Sequence, residues 1–183
     1  MNQALLVGDV QAGITSSYPF SASVVPHISA VLTRARSTGI PIVFAVAALR
    51  PSGADLSPRN VVFNQFFSAA EVFHDGGPGP VVDPHLGRRE DEPVVVKRRV
   101  SAFQATELDL ILRAAGVDSL AIAGVATSAM VLATALDALD LDYSVTVLRD
   151  CCADPEPDVH DFLLGRVFPQ RGATVVPSAT WLP

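Results

Sequence analysis

Short unbroken apolar runs alternate along this chain with stretches whose apolar residues recur every three or four positions. The unbroken runs predict strands over 4–8, 40–47, 93–96, 119–124, 143–148 and 172–176. The third of these ends at Lys97. Helical spacing is clearest over 21–38, where Val24, Val25, Ile28, Val31, Leu32 and Ala35 share one face and Gly39 follows as a stop. Pro26 sits in its first turns, where a missing N–H costs little. Further helices are predicted over 106–115, with Gly116 beyond its end, over the Ala- and Leu-rich 129–141, and over 158–168.

Strands that are apolar throughout, without in-and-out alternation, are buried on both faces. Six of them separated by helices predict an α/β chain with a six-stranded parallel sheet covered on both sides, forming three layers. Right-handed crossovers make such a sheet doubly wound, and its ligands bind beyond the carboxyl ends of the strands. The strand ends therefore supply the candidates. They are Asp9, then Ala48–Arg50, Lys97, the turn from Val125 to Ser128, and Asp150.

One stretch breaks the rhythm. Residues 49–92 are rich in Pro, Gly and charge, with Phe63, Phe66, Phe67, Val72 and Phe73 as a local apolar cluster. A connection this long acts as a cover over a site or as an interface, or it is a loop-rich edge with its own small core. Residues 1–183 are otherwise read as one domain, a length sufficient for one sizeable core.

Composition narrows the function classes. Charged residues are only 17% of the chain, so it packs densely and does not resemble a disordered chain. The net charge of -6 argues against a general nucleic-acid binder. The short run Lys97-Arg98-Arg99 does not change that. The start, through Asp9, reads as a buried strand and not as a signal peptide or membrane span. Two adjacent cysteines, Cys151 and Cys152, form no disulfide framework and suit a reducing cytosol.

Asp9 and Lys97 each end an apolar strand, and each buried charge needs a partner. They satisfy one another if their strands lie on the same side of the sheet; otherwise they are two unrelated capping charges. Gly124-Val125-Ala126-Thr127-Ser128 joins a strand to a helix. Its N–H groups suit an oxyanion, or it is an ordinary turn capped by Thr127 or Ser128.

Taken together, LLVGDVQ, VVVKRRVSAF, IAGVATSAMVLATALDALD, VLRDCCAD and the following PDVHD resemble the isochorismatase-like (cysteine hydrolase) superfamily, in its order and over nearly the whole chain. The resemblance implies a Rossmann-like fold and an Asp–Lys–Cys triad. Asp9 matches the family's acid/base aspartate and Lys97 its lysine. The peptide between Val125 and Ala126 falls where the family often has a cis bond near its oxyanion site. The cysteine position reads Met130, and a thioether has no proton to lose and cannot be a thiolate nucleophile. Cys151 and Cys152 lie at a different strand end.

The resemblance still offers a route without cysteine. In isochorismatases an aspartic acid protonates a vinyl-ether carbon, and water adds to the oxocarbenium carbon. Asp9 is the expected acid, with Lys97 orienting it. Val100 and Ala126 depart from the aromatic residues that isochorismatases resemble at those places, which weakens the match to isochorismate itself. The expected function is thus non-covalent hydrolysis of a small organic molecule. The rivals are a catalytically silent binding or structural protein and an amidase with a non-standard nucleophile.

Gln11, Phe20, Arg50, Phe103, Val125 and Ala126 are the expected substrate-binding residues, Arg50 through a substrate carboxylate. No cofactor or metal is expected. The stretch after the second strand lacks histidine, and His74 and His85, with Asp75 and Asp83 nearby, fit no metal-ligand spacing. His27 and His160 are expected to pack or cap. The expected partners are a small-molecule substrate and further copies of the chain, as a homodimer or larger assembly, with neither nucleic acid nor membrane.

Overall fold

Each predicted apolar run becomes a strand whose alternate side chains enter two different cores. The computed structural model describes residues 2–69 and 73–182. Its strands are β1 (Gln3–Gly8), β2 (Ile42–Ala47), β3 (Val94–Lys97), β4 (Ser119–Val125), β5 (Ser144–Ala153) and β6 (Thr174–Val176). All pair in parallel, in the order β3-β2-β1-β4-β5-β6.

The helices are α1 (Ala12–Thr15), α2 (Pro19–Ala22), α3 (Val25–Ser37), α4 (Val61–Ala69), α5 (Leu108–Ala114), α6 (Leu132–Asp140), α7 (Pro157–Phe162), α8 (Phe168–Gln170) and α9 (Ser178–Trp181). Leu5, Val7, Phe44 and Val46 bury one sheet face against Ile28, Val31 and Leu32 of α3. Ala4, Leu6, Val43 and Ile122 bury the other against Leu112 of α5, Ala135 of α6 and Phe168 of α8. Two covered faces explain why the strands read as continuous apolar runs. Among the described residues no helix is long and apolar enough to cross a membrane.

The strand order reverses between β1 and β4, so the crevice for ligands opens at their carboxyl ends. Gly8 and Gly124 are register partners there. Gly124 has a φ of 133°, and a Cβ on it would fall on the Gly8 carbonyl oxygen. Only glycine lets the two backbones approach this closely.

Several elements differ from the sequence expectation. The helix expected over 129–141 begins with a π-helical turn, Thr127–Val131, before α6. The last long helix is divided into α7, a π-helical turn over Leu163–Val167, and α8. Apolar periodicity does not register such extra residues, because the buried face is kept on either side. The long segment contains α4. Phe63 and Phe73 of its expected cluster are buried, whereas the Phe66 and Phe67 side chains and Val72 lie outside the described residues.

Asp150 also requires correction as a strand-end candidate. The fifth strand does not stop at Leu148 but runs to Ala153, with a register shift against β4 between Ile122 and Gly124. The Asp150 carboxylate faces the C-terminal segment. It accepts from the Ser178 N–H at 2.6 Å and the Ser178 hydroxyl at 2.7 Å, and His27 lies 3.7 Å away. Burial alone would raise its pKa, but the Ser178 hydrogen bonds hold it below the usual carboxylate range.

Two outcomes follow. Gly124→Ala should destabilise the protein by on the order of 3 kcal/mol in urea unfolding, from backbone strain and overpacking together. Asp150→Asn should cost about 1 kcal/mol at neutral pH, through weakened bonds to Ser178. A depressed carboxylate pKa contributes stability above the unfolded value and loses it as pH falls through the folded one. The deficit of Asp150→Asn should therefore vanish below the ordinary carboxylate range, measured by unfolding across an acid pH series.

Candidate active site at the carboxyl end of the sheet

Asp9 is the first residue beyond β1. Its N–H still donates to the Ala45 carbonyl at 2.9 Å, while its φ of 59° turns the chain out of the sheet. Aspartate tolerates this left-handed conformation better than most residues. Lys97 ends β3, level with Ala47 of β2. Two strand spacings, about 10 Å, separate the backbones of β1 and β3. The lysine side chain spans that gap past the small Ala47.

The Lys97 Nζ lies 2.9 Å from Asp9 Oδ2. It also approaches the Arg99 carbonyl at 3.3 Å and lies 5.8 Å from the centre of the Phe63 ring. Both side chains are buried, at 2% and 11% exposed. The other carboxylate oxygen, Asp9 Oδ1, is buried without a hydrogen-bond partner from the protein. Burial pushes the Asp9 carboxyl above its ordinary pKa, and the adjacent lysine only partly offsets it.

A third element reaches the pair from the turn after β4. The Val125–Ala126 peptide is cis, at the place the resemblance implies. The π-helical turn that follows is held from outside the sheet. Asp154, just past β5, accepts from the Ser128 N–H at 2.7 Å and the Glu156 N–H at 3.2 Å. Thr127 Oγ1 and His160 Nδ1 lie 2.8 Å apart. Burial lowers the pKa of this histidine. The turn points Met130 at Gly8, where any Cβ would collide with the thioether. Met130 is 1% exposed, and the Thr134 hydroxyl lies 3.5 Å from its sulfur.

A cavity of about 390 Å³ opens over Asp9, Lys97, Val125, Ala126 and Met130. Phe20, also expected, lines it. Ile14 and Tyr18 line it as well, together with Val62 and Phe63 of α4 and with Pro155. Part of the long segment therefore walls this chain's own cavity. Ile14 and Tyr18 went unnoticed in the sequence because α1 and α2 are one turn each, too short for periodicity. Asp154 was missed because the end of β5 was expected earlier.

Three expected binding residues lie elsewhere. Gln11 is fully buried with its carboxamide turned away from the cavity; it exchanges hydrogen bonds with the Ala47 N–H and carbonyl and donates to the Gly79 carbonyl. It thus ties the long segment to β2. Arg50 is exposed and paired with Asp55 at 3.0 Å. Phe103 packs on the far core beside the Tyr143 ring, 5.8 Å between centres. Cys151 and Cys152 enter opposite cores, and neither lines the cavity. Burial pushes the Cys151 thiol up to about 12 and the Cys152 thiol higher still.

The histidines occupy separate places. His85 is exposed and hydrogen-bonded to Asp83 at 2.9 Å, and His74 bridges to Leu49. Among the described residues no cluster of His, Cys, Asp or Glu is arranged to hold a metal ion.

Lys97→Met tests the pair. It leaves a buried carboxylate without its cation, a change that costs about 3–5 kcal/mol when the charge persists. A raised carboxyl pKa means that the folded state holds the proton more tightly than the unfolded chain does, so stability falls as pH rises through the folded value. Loss of Lys97 raises that value further. The deficit against wild type should therefore grow as pH rises and shrink in acid, where Asp9 takes up a proton; urea unfolding across a pH series reads it.

Comparisons with known proteins place the chain in a family. A family model described as the isochorismatase domain matches residues 3–180. A probable inactive nicotinamidase of Arabidopsis thaliana is 33% identical over 174 residues, covering 87% of this chain and 84% of that protein. The maleamate amidohydrolase of Pseudomonas putida is 29% identical, covering 94% and 82%. The crystal structure of an isochorismatase family protein from Desulfovibrio vulgaris superposes with a TM-score of 0.87 at 31% identity, covering 97% of this chain and 95% of that one. With a family match over nearly its whole length and the same fold as a solved member, the chain belongs to the isochorismatase family.

Proposed function

We propose that this protein hydrolyses a small organic molecule by acid/base chemistry at Asp9 and Lys97, without a covalent intermediate. The observation that carries the reading is the buried pair, 2.9 Å apart, with Asp9 Oδ1 left unpartnered beside the cavity. A buried pair is often replaceable by apolar residues at no loss of stability. An orphaned carboxylate oxygen is costlier still unless it has a use. Reaction with a ligand supplies one.

The chemistry follows from the proton. A carboxyl group whose pKa is raised by burial keeps its proton into the range where it serves as a general acid. With a vinyl ether, Asp9 delivers that proton to the terminal alkene carbon, and the alkene electrons form the new C–H bond. The positive charge passes to the carbon–oxygen unit. Water adds there and returns a proton to Asp9. The resulting hemiketal or hemiacetal breaks into a carbonyl compound and an alcohol. Lys97 holds Asp9 in place and favours its ionised form after transfer.

Met130 is the reason for choosing this route over a thioester. By the resemblance it stands at the place of the family cysteine, and its sulfur carries no ionisable proton. The two cysteines are buried away from the cavity with thiols held protonated. A second reading, a binding protein that has lost turnover, draws on the same Met130 and on the relative described as a probable inactive nicotinamidase.

The test is hydrolysis of a panel of vinyl ethers, amides and esters. Wild type should turn over a vinyl ether, and alkylation of thiols should leave the rate unchanged. Asp9→Asn should lower kcat by about 100-fold or more. Because the protonated acid is the active form, kcat/KM should fall as pH rises through the raised Asp9 value. Turnover that survives Asp9→Asn refutes the mechanism, and binding of panel members without turnover favours the second reading.

A further inference from the structure

A second cavity, of about 620 Å³, lies beside α1 and shares no lining residue with the one over Asp9. Ala12, Ala22, Val25, Pro26 and Pro84 form its apolar walls. Among the described residues its ionisable groups are Asp83 and His85, on either side of Pro84.

The two belong to one hydrogen-bonded chain. Thr15 Oγ1 donates to Asp83 Oδ2 at 2.6 Å. Asp83 Oδ1 accepts from the His85 N–H at 2.9 Å and lies 2.9 Å from His85 Nδ1. The carboxylate is 8% exposed, whereas the imidazole is 84% exposed. Burial alone would raise the Asp83 pKa, but the bonds from Thr15 and His85 hold it below the usual carboxylate range. An ionised carboxylate only accepts, so the proton of the neutral ring sits on Nδ1. Nε2 then keeps its lone pair on the far side of the ring from Asp83. A capping role for Asp83 at the turn Pro84–Leu86 accounts for its bond to the His85 N–H. It does not account for the ring contact or for the Thr15 hydroxyl.

A carboxylate behind an imidazole fixes its tautomer and stabilises the imidazolium formed when Nε2 reacts. We infer that His85 Nε2 is a nucleophile that accepts acyl groups from aryl esters and anhydrides, with the apolar acyl chain seated in the adjoining cavity. Asp83 is its positioning residue. With an aryl ester, the Nε2 lone pair forms the new C–N bond, and the C–O bond to the aryloxide breaks with its electron pair. Asp83 offsets the positive charge of the acyl-imidazolium. Water then adds to the acyl carbon and gives up one proton, which the aryloxide takes. The C–N electron pair returns to Nε2, and the carboxylic acid leaves.

Diethyl pyrocarbonate followed by peptide mapping reads each histidine separately. At neutral pH the His85 carbethoxylation rate should fall at least about fivefold in Asp83→Asn, because a neutral acceptor replaces a charged one. His27, 3.7 Å from Asp150, is the internal reference and should keep its rate. Release of p-nitrophenol from p-nitrophenyl esters reads the cavity. His85→Gln should lower it, and the part so lost should be at least about threefold faster for the butanoate than for the acetate. Free imidazole has no cavity and should show no such gain. His85 is exposed, so this variant keeps the test open if Asp83→Asn does not fold.

An unchanged His85 rate in folded Asp83→Asn overturns the inference. So does ester cleavage equal in wild type and His85→Gln, or a lost part that ignores chain length. Vinyl ethers carry no acyl group for His85 to accept, so their turnover reads Asp9 alone. His85→Gln should leave that turnover unchanged.

Discussion

A lysine ammonium reaching past one strand to an aspartate on the next is the contact around which this end of the molecule is organised. Its partners follow from the cost of burying two charges. Lys97 has a carboxylate, a carbonyl and the face of the Phe63 ring around it. Ala47 lies between the two strand ends, and its small side chain leaves the lysine room to pass. The α4 segment covers the pair with Phe63. Gln11, two residues past Asp9, binds the long segment to β2 through its carboxamide. What was expected to touch substrate instead helps hold the cover over the pair.

The opposite side of the crevice is built by close approach rather than charge. Gly8 and Gly124 let the β1 and β4 backbones and the Met130 thioether crowd together at the switch point. Asp154 and His160 then hold the π-helical turn that carries Met130. The family membership points to hydrolysis, while Met130 brings to the crevice a thioether that carries no ionisable proton. Both facts are compatible with one proton-transfer mechanism, and that is why Asp9 carries the proposal.

The sheet was legible because buried parallel strands leave continuous apolar runs, and 4–8, 40–47 and 119–124 fall on β1, β2 and β4 to within two residues. Asp9 and Lys97 were legible as candidates for a pair because a charge at the end of a buried apolar run needs a partner, and the structure sets them 2.9 Å apart. The strand-to-helix turn carrying Val125 and Ala126 was found in the same way. Gln11, Arg50 and Phe103 were placed by proximity in sequence to these positions, and proximity does not specify which way a side chain turns.

The pattern of residues thus established the layers, the strand ends and the two charges that had to be reconciled, since burial of apolar runs and solvation of charge act locally on each segment. That the charges meet across an intervening strand depends on strand order, which no segment encodes alone. The tertiary structure also decided that β5 continues through its register shift, taking Asp150 from the site to the Ser178 anchor and bringing Asp154 to the turn. It likewise decided that Val62 and Phe63 wall the cavity and that no cation beyond Lys97 lines it among the described residues. These features arise from contacts between segments far apart in sequence, where geometry selects among partners that composition and periodicity treat as equivalent.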